Sequence, residues 1–161
     1  MVWTAFFSPI NDKTFTWGVG PVFYFPIATN PSLGSGKWSA GPSIVALTLK
    51  GQWVAGILMS NVWSFAGDDE RLDVNSFLLQ YFVNYNFNRG WYLVSAPIIT
   101  SNWNAPDGEG WIVPFGAGGG KVFKLGKQPM NTNFQVFKNV VTPTYGPEWS
   151  IRFQIQLMFP K

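Results

Sequence analysis

The sequence predicts an all-β protein, an antiparallel up-and-down transmembrane β-barrel with about eight visible strands. Apolar and polar residues alternate with a period of two over long stretches, as in strands with one apolar face. Charged residues make up 12% of the 161 residues and aromatic residues 18%. Soluble domains usually carry about 25% charge, so charge is scarce here while aromatic rings are abundant. Gly, Pro, Asn and Ser interrupt every apolar segment, which excludes a spanning helix of ~18 or more apolar residues, so a membrane-spanning form of this chain must be a barrel.

The last strand shows the alternation most clearly. Large apolar residues occupy every second position from Trp149 to Phe159, with Arg152, Gln154 and Gln156 between them. A soluble sandwich would turn the apolar face to a protein core, whereas a membrane barrel turns it to lipid and its polar face to the lumen. Strand-like patterns occupy eight stretches: Phe15–Phe25, Trp38–Leu49, Trp53–Trp63, Val74–Phe87, Trp91–Ser101, Trp111–Phe123, Met130–Lys138 and Trp149–Phe159. The second and third are apolar on both faces, and their orientation stays open. No stretch has a 3.6-residue period, so we expect almost no helix.

The connections alternate between long and short. Long ones are Ile27–Lys37, Ser64–Asp73, Asn102–Gly110 and Asn139–Glu148; short ones are Lys50–Gln52, Asn88–Gly90 and Lys124–Pro129. Consecutive antiparallel strands put alternate connections at opposite ends, which is the asymmetry of bacterial outer-membrane barrels. Most acidic residues lie in the long loops: Asp68, Asp69, Glu70, Asp73, Asp107, Glu109 and Glu148. At the short-turn end lie the basic residues Lys13, Lys50, Arg89, Lys124, Lys127 and Lys161. Charge is thus kept out of a central band, as a hydrocarbon layer demands.

Tryptophan marks both edges of this band. Trp38, Trp63, Trp103, Trp111 and Trp149 fall at strand ends facing the long loops, and Trp53 and Trp91 begin strands at the short turns. An indole ring is apolar with one N–H donor, so it prefers a membrane–water interface. Eleven residues at ~3.3 Å each, tilted by ~40°, give a height of ~27 Å, close to the ~25 Å apolar band of such barrels. These residues are therefore predicted membrane-interface aromatics, with lipid as the partner.

Arg152 is the main candidate for a functional residue. It lies at mid-strand on the polar face, which points into the lumen if the other face meets lipid. Two interpretations stay open: it orients an anionic or phenolic solute, or it is a structural partner of inward polar groups. The other predicted lumen residues are Gln80, Asn84, Asn86, Asn131, Asn133, Gln135, Gln154 and Gln156.

Catalytic and metal chemistry are not expected. Histidine and cysteine are absent, which removes most routes to general-base, triad, thiol or zinc chemistry. The glycine-rich stretch Gly116–Lys121 lacks the Gly and Ser/Thr of a phosphate loop, and small residues on an inward face leave room for larger neighbours. The acidic cluster Asp68, Asp69, Glu70 and Asp73 either binds Ca²⁺ or is a solvated loop, and the second interpretation is preferred. We therefore predict no enzyme, no cofactor and no metal. The net charge of +3 is modest and spread along the chain, so no nucleic-acid partner is expected.

Several segments resemble a known family. They are W-G-V-G-P-V-F-Y-F-P-I-A-T, L-G-S-G-K-W-S-A-G-P, W-S-F-A-G-D-D-E-R-L-D-V-N and G-P-E-W-S-I-R-F-Q-I-Q-L-M-F-P-K. Together they resemble the bacterial outer-membrane proteins grouped under the MetA pathway of phenol degradation, often labelled "transporter". The resemblance runs from about Thr14 to Lys161. It implies an outer-membrane β-barrel of a Gram-negative bacterium, with uptake of aromatic or other hydrophobic compounds, and it brings no catalytic residues.

The N-terminal segment departs from that family, whose members are longer and begin with a signal peptide and further strands. No signal peptide is visible here. We expect one barrel domain over residues 1–161, in which 1–13 form the stump of a preceding strand plus a short turn, and a missing upstream part. The alternative is that Met1 is the true start and the first residues tuck into an eight-stranded barrel.

The functional prediction is passive, porin-like transport of small hydrophobic or aromatic compounds. The alternative is a structural or ligand-binding barrel, either a plugged membrane barrel or a soluble lipocalin-like one. An eight-stranded barrel has an interior just filled by side chains, so these strands alone are expected to form a plugged barrel. The solute and the oligomeric state stay open.

Overall fold

Alternating side chains and tight turns fold this chain into an antiparallel meander. The computed structural model describes residues 1–9, 14–28, 30, 34–126 and 128–159. The strands are β1 (Val2–Thr4), β2 (Phe15–Tyr24), β3 (Lys37–Lys50), β4 (Trp53–Gly67), β5 (Asn75–Asn86), β6 (Trp91–Ser95), β7 (Ile98–Asn102), β8 (Trp111–Leu125), β9 (Gln128–Val141) and β10 (Trp149–Leu157). A single 3₁₀ turn, Asn88–Gly90, is the helical element of the described residues. Within that part of the chain, no helix is long and apolar enough to cross a membrane.

The predicted fold class is confirmed: the protein is an all-β antiparallel barrel. The strands pair in chain order from β1 at one edge of the ladder to β10 at the other, except that β6 and β7 do not pair with each other and both lie between β5 and β8. Each of the eight predicted strand stretches corresponds to β-structure, and β1 pairs with β2 ahead of them. The structure extends β4 to Gly67 and β9 to Val141, beyond the predicted ends.

The fifth predicted strand, Trp91–Ser101, is interrupted in the middle. β6 and β7 follow one path between β5 and β8 but are separated by Ala96 and Pro97, both buried. Proline has no N–H to donate to a neighbouring strand, so the ladder is broken there. At this break, the Ala96 carbonyl accepts a hydrogen bond from the guanidinium of Arg152 in β10, at 2.9 Å. This contact joins β10 to the β6–β7 break across the curled sheet.

The two ends of the barrel differ as predicted. Residues 51–52, 87–90 and 126–127 connect strands at one end, and residues 25–36, 68–74, 103–110 and 142–148 connect them at the other. Gly51, at φ +60°, and Gly126, at φ +61°, adopt the left-handed backbone that tight hairpins require. Lys50, Arg89 and Lys124 lie at this short-turn end. Lys13, Lys127 and Lys161, also predicted there, fall outside the described residues.

The burial pattern is the reverse of that in a soluble domain. The buried polar or charged residues of the described chain are Lys37, Ser39, Ser43, Ser60, Ser101, Asn133, Gln135 and Asn139. Large apolar side chains such as Phe115, Ile151 and Phe153 are exposed on the outer face, each by more than half of its surface. Soluble proteins bury such side chains and expose polar ones. The wall of this barrel therefore presents large apolar side chains outward, and its inward face combines polar side chains with buried apolar ones such as Val22, Val62 and Phe137.

Candidate functional site

The inner face of the barrel encloses a polar cavity of about 380 Å³ in its short-turn half. Its wall comes from β5, β6, β8, β9 and β10. Every predicted lumen residue lies on it: Gln80, Asn84, Asn86, Asn131, Asn133, Gln135, Arg152, Gln154 and Gln156. These residues share one parity in each strand, so the pleat turns them all to the same side of the sheet. Phe82, Tyr92, Val94, Ala96 and Val122 complete the wall, and the alternation in the sequence did not single them out as functional.

A chain of amide hydrogen bonds runs across β9 and β10 in this cavity, which we call the polar chamber. Gln135 Nε2 donates to Asn133 Oδ1 at 3.1 Å. Asn133 Nδ2 donates in turn to Gln154 Oε1 at 3.2 Å. On the opposite side of Asn133, the Tyr92 hydroxyl donates to Asn131 Oδ1 at 2.7 Å. The chamber wall is thus pre-ordered by contacts between its own polar groups.

Arg152 lies beside this amide chain. It is paired in register with Gln135 across the β9–β10 ladder. One of its N–H groups donates to the Ala96 carbonyl, and its guanidinium carbon lies 5.5 Å from the ring centroid of Phe137. The structure thus supports the structural role that sequence analysis left open, since Arg152 bridges two distant strands. A guanidinium carries five N–H donors, however, so one hydrogen bond does not exhaust it.

Gly120 explains the glycine-rich stretch of β8. Its neighbour across the ladder is Tyr92. A Cβ atom at Gly120 would collide with the Tyr92 ring and hydroxyl, whereas one at Gly119 would meet its nearest atom at 3.6 Å. Gly120 faces the lumen and is buried, while Gly119 faces outward and is exposed. The inward glycine therefore leaves room for the tyrosine that holds Asn131.

A second cavity, of about 400 Å³, lies at the long-loop end. We call it the vestibule. Its wall includes apolar side chains, hydroxyl groups and one acidic residue from the loop before β8: Tyr24, Val62, Leu78, Ile112, Ser60, Thr100 and Glu109. The polar chamber and the vestibule thus lie toward different ends of the barrel, and a plugged interior stays a prediction. The sequence alone did not indicate the vestibule, because its wall combines Ser60 and Val62 of the apolar β4 stretch with residues from loops that are distant in the chain.

Glu109 ties two long loops together at the vestibule. Its Oε2 atom accepts a hydrogen bond from the Thr144 backbone N–H at 2.7 Å, and its Oε1 atom accepts one from the Thr144 hydroxyl. These hydrogen bonds to the Thr144 side chain and backbone lower the pKa of Glu109 below its ordinary value. Pro143, next to Thr144, is itself part of the vestibule wall. The pair thus connects residues 103–110 with residues 142–148 at the cavity.

The acidic loop pairs with a buried lysine that sequence analysis did not single out. Lys37, at the start of β3, is 8% exposed, and its Nζ atom lies 3.3 Å from Asp73 Oδ1. The Ser64 hydroxyl donates to the same oxygen at 3.1 Å. The hydrogen bond and charge of Lys37, together with the Ser64 hydroxyl, lower the pKa of Asp73. Asp73 therefore neutralises a buried cation.

The other acidic residues of that loop do not converge on a common point. Asp68 accepts a hydrogen bond from the Glu70 backbone N–H at 3.0 Å, which closes a turn of the loop. No group of three or more acidic, His or Cys residues in the described part of the chain is arranged to hold a metal ion. The loop is thus organised by its own turn and by Lys37.

Six of the seven predicted interface aromatics lie at or beside strand ends, whereas Trp63 lies within β4, four residues before its end at Gly67. Those near the long loops are Trp38, Trp63, Trp103, Trp111 and Trp149, and those near the short turns are Trp53 and Trp91. Trp103 packs edge-on against Trp111 at 5.4 Å between centroids, and its Nε1 atom donates to Asn61 Oδ1 at 2.7 Å. At the other end, the Lys121 ammonium lies 4.6 Å from the ring centroid of Trp91. Each end of the barrel thus carries outward rings with polar partners.

The curled antiparallel sheet, its polar interior and its apolar outer face define the class of protein: a β-barrel with an amphipathic wall. No protein-family model, curated protein or solved structure matches the chain. The resemblance to the outer-membrane family of the MetA pathway therefore stays a prediction.

Proposed function

We propose that this protein is an outer-membrane β-barrel of a Gram-negative bacterium that passes small hydrophobic or aromatic compounds through its lumen. The observation that carries the proposal is the reversed burial pattern: apolar rings outside and amides, hydroxyls and an arginine inside. An exposed apolar surface that continues around a sheet is unfavourable in water but suits lipid. The family resemblance of the sequence points the same way.

The two cavities support transport. The vestibule offers apolar side chains together with hydroxyls such as those of Ser60 and Thr100. The polar chamber follows toward the short turns, with amide groups and Arg152 on its wall. A compound with an apolar body and a polar end finds matching groups in both.

A plugged barrel is the second candidate. The observation in its favour is the hydrogen bond from Arg152 to the Ala96 carbonyl, which spans the interior, together with the buried side chains of Val94, Pro97 and Phe137 nearby. In that case the barrel is structural and its interior is closed to solutes.

Conductance in a planar bilayer separates the two candidates. The chain is refolded into detergent micelles, and folding is verified by a band that shifts on boiling. We expect discrete current steps that phenol in the bath partly blocks. A folded barrel that inserts without conducting would contradict the proposal and favour the plugged barrel.

A charge placed in the lumen makes the test sharper. Gln156→Glu adds an anion on the wall of the polar chamber, so we expect the reversal potential to shift toward cation selectivity. Gln52→Glu is the matched control, because Gln52 lies in the tight turn between β3 and β4 and accepts a hydrogen bond from Tyr85. Equal shifts from both variants would mean that the current does not pass the chamber.

A further inference from the structure

The polar chamber contains a buried acceptor that its own side chains leave unused. Gln135 is 3% exposed, and its Oε1 atom accepts no hydrogen bond within the described chain. Asn84, on the wall of the same cavity, likewise has a buried Oδ1 atom without a donor. A buried acceptor left unpaired costs about 1–3 kcal/mol, so such atoms are rare and call for an explanation.

The amide chain explains why Gln135 presents its oxygen. Its Nε2 atom is committed to Asn133 Oδ1, and Asn133 Nδ2 is committed to Gln154 Oε1. The donors of this chain therefore run in one direction, first along β9 from Gln135 to Asn133 and then across to Gln154 of β10. Gln135 is the first amide of this chain, and its Oε1 atom is the acceptor that the chain leaves unused.

Arg152 supplies the complementary group. It is the Cα partner of Gln135 in the ladder, and both side chains line the chamber. The Ala96 carbonyl takes one of its five N–H donors. Arg152 is also the one charged side chain on the described wall of the chamber. A ligand here therefore meets unused acceptors on amides and unused donors on a cation.

The hydrogen-bonding capacity of common functional groups limits the class of ligand that fits this site. A carboxylate would satisfy Arg152 but would place a negative charge against two amide oxygens that need donors. An ammonium group would satisfy those oxygens but would be repelled by the guanidinium. An ether accepts from Arg152 and donates nothing. A neutral hydroxyl group both donates and accepts, so it satisfies both kinds of partner at once.

We infer that the polar chamber holds a binding site for neutral, hydroxyl-bearing solutes, formed by Gln135, Asn84 and Arg152. This site rests on the proposed function, because a solute must be able to enter the lumen to reach it. It makes the transport selective, because hydroxylated neutral compounds bind more tightly than their ethers and acids.

Three water-soluble probes test the site: xylitol, its per-O-methyl ether and xylonate. Each is titrated into refolded protein in micelles, and binding is followed by saturation-transfer NMR of the probe. Xylitol is expected to bind, and the ether and xylonate to bind about tenfold or more weakly, as the loss of one well-placed hydrogen bond predicts. Because this comparison uses the unaltered chain, it does not depend on any variant folding.

A pair of variants locates the site. Gln135→Met removes the acceptor at nearly constant side-chain length, and we expect it to weaken xylitol binding about tenfold. Thr132→Val is the control, since Thr132 lies on the same strand and its side chain belongs to the outward face beside Phe134 and Phe153. Both variants are checked for the boiling-dependent band shift before titration.

The outcomes separate this inference from the proposed function. Xylonate binding more tightly than xylitol would overturn the site in favour of an anion site at Arg152. Equal binding of xylitol and its ether would overturn it by assigning the buried oxygens to water. A conducting barrel with either result would keep the transport function and lose the site. A barrel that prefers xylitol but does not conduct would keep the site and lose the transport function.

Discussion

At the scale of single residues, the packing of the interior is sensitive to a single added methyl group. Gly120 and Gly119 are adjacent in β8 and lie on opposite faces of the sheet. The inward one faces the Tyr92 ring, whose hydroxyl holds Asn131 on the chamber wall. This contrast provides a matched pair of substitutions in which only the direction of the added methyl group differs.

We predict that Gly120→Ala destabilises the barrel by about 1–3 kcal/mol, because the new Cβ atom overpacks against Tyr92. Gly119→Ala adds the same atom on the outer face, where its nearest neighbour is 3.6 Å away, so it should leave the free energy of unfolding nearly unchanged. Urea unfolding of both variants in micelles measures the difference. Equal effects would mean that Tyr92 does not occupy the position described.

Single residues also show where prediction from sequence stops. Arg152 was singled out because a charge at mid-strand is unusual, and the pleat alone placed it with Gln154 and Gln156. Lys37 was missed, because its partner Asp73 lies beyond β4 and nothing local marks it as buried. Gln135 looked like any other inward amide, and the bonding that leaves its oxygen unused depends on Asn133 and β10.

At the scale of elements, the period of two located the strands and assigned the faces of β5, β9 and β10. It did not assign β3 and β4, since both of their faces are apolar in sequence. The structure turns Ser39, Ser43 and Ser60 into the interior. The break between β6 and β7 was also missed, although Pro97 was a signal for it. The contact of that break with β10 depends on how the whole sheet curls, which no local pattern encodes.

The last strand, β10, is held by its pairing with β9 and by the Arg152 contact with Ala96. We predict that Arg152→Met speeds amide hydrogen exchange in β10 about tenfold to a hundredfold, because a hydrogen bond from a charged donor contributes about 1.5–3 kcal/mol. Ser150→Ala, also on β10, is the control and should leave the exchange unchanged. Unchanged exchange in Arg152→Met would show that β9 alone holds the strand.

The link between Glu109 and Thr144 should depend on pH. The folded state lowers the pKa of Glu109, so the link contributes stability above the unfolded pKa and loses it as the pH falls through the lowered folded value. We predict that the Thr144 amide resonance moves with a midpoint below the ordinary glutamate pKa, and that Glu109→Gln abolishes this transition.

Glu148→Gln is the control for that experiment, because Glu148 lies in the same loop as Thr144 and its backbone carbonyl, rather than its carboxylate, accepts from Asn139. The Thr144 transition should persist in this variant. A midpoint at or above the ordinary glutamate value would contradict the link between the two loops.

At the scale of the whole molecule, the outward apolar face and the inward polar face make opposite demands on the surroundings. Water favours exposure of the polar face of a strand, and lipid favours exposure of its apolar face. A charge added to the outer face is therefore tolerated in water and costly in a bilayer. A charge added to the inner face is tolerated wherever the interior holds water. Two residues on opposite faces of β10 allow that comparison.

We predict that Phe153→Arg destabilises the bilayer-inserted barrel by about 2–4 kcal/mol, the cost of a lipid-facing cation at mid-depth. Phe153 is the central residue of β10 and is 65% exposed on the outer face. Gln156→Arg is the control, since its side chain also joins the polar chamber and should be tolerated. The measurement is urea unfolding from phospholipid vesicles. If Phe153→Arg instead left the chain folded and soluble in plain buffer, the outer face would meet water, and the soluble ligand-holding barrel would replace the membrane barrel.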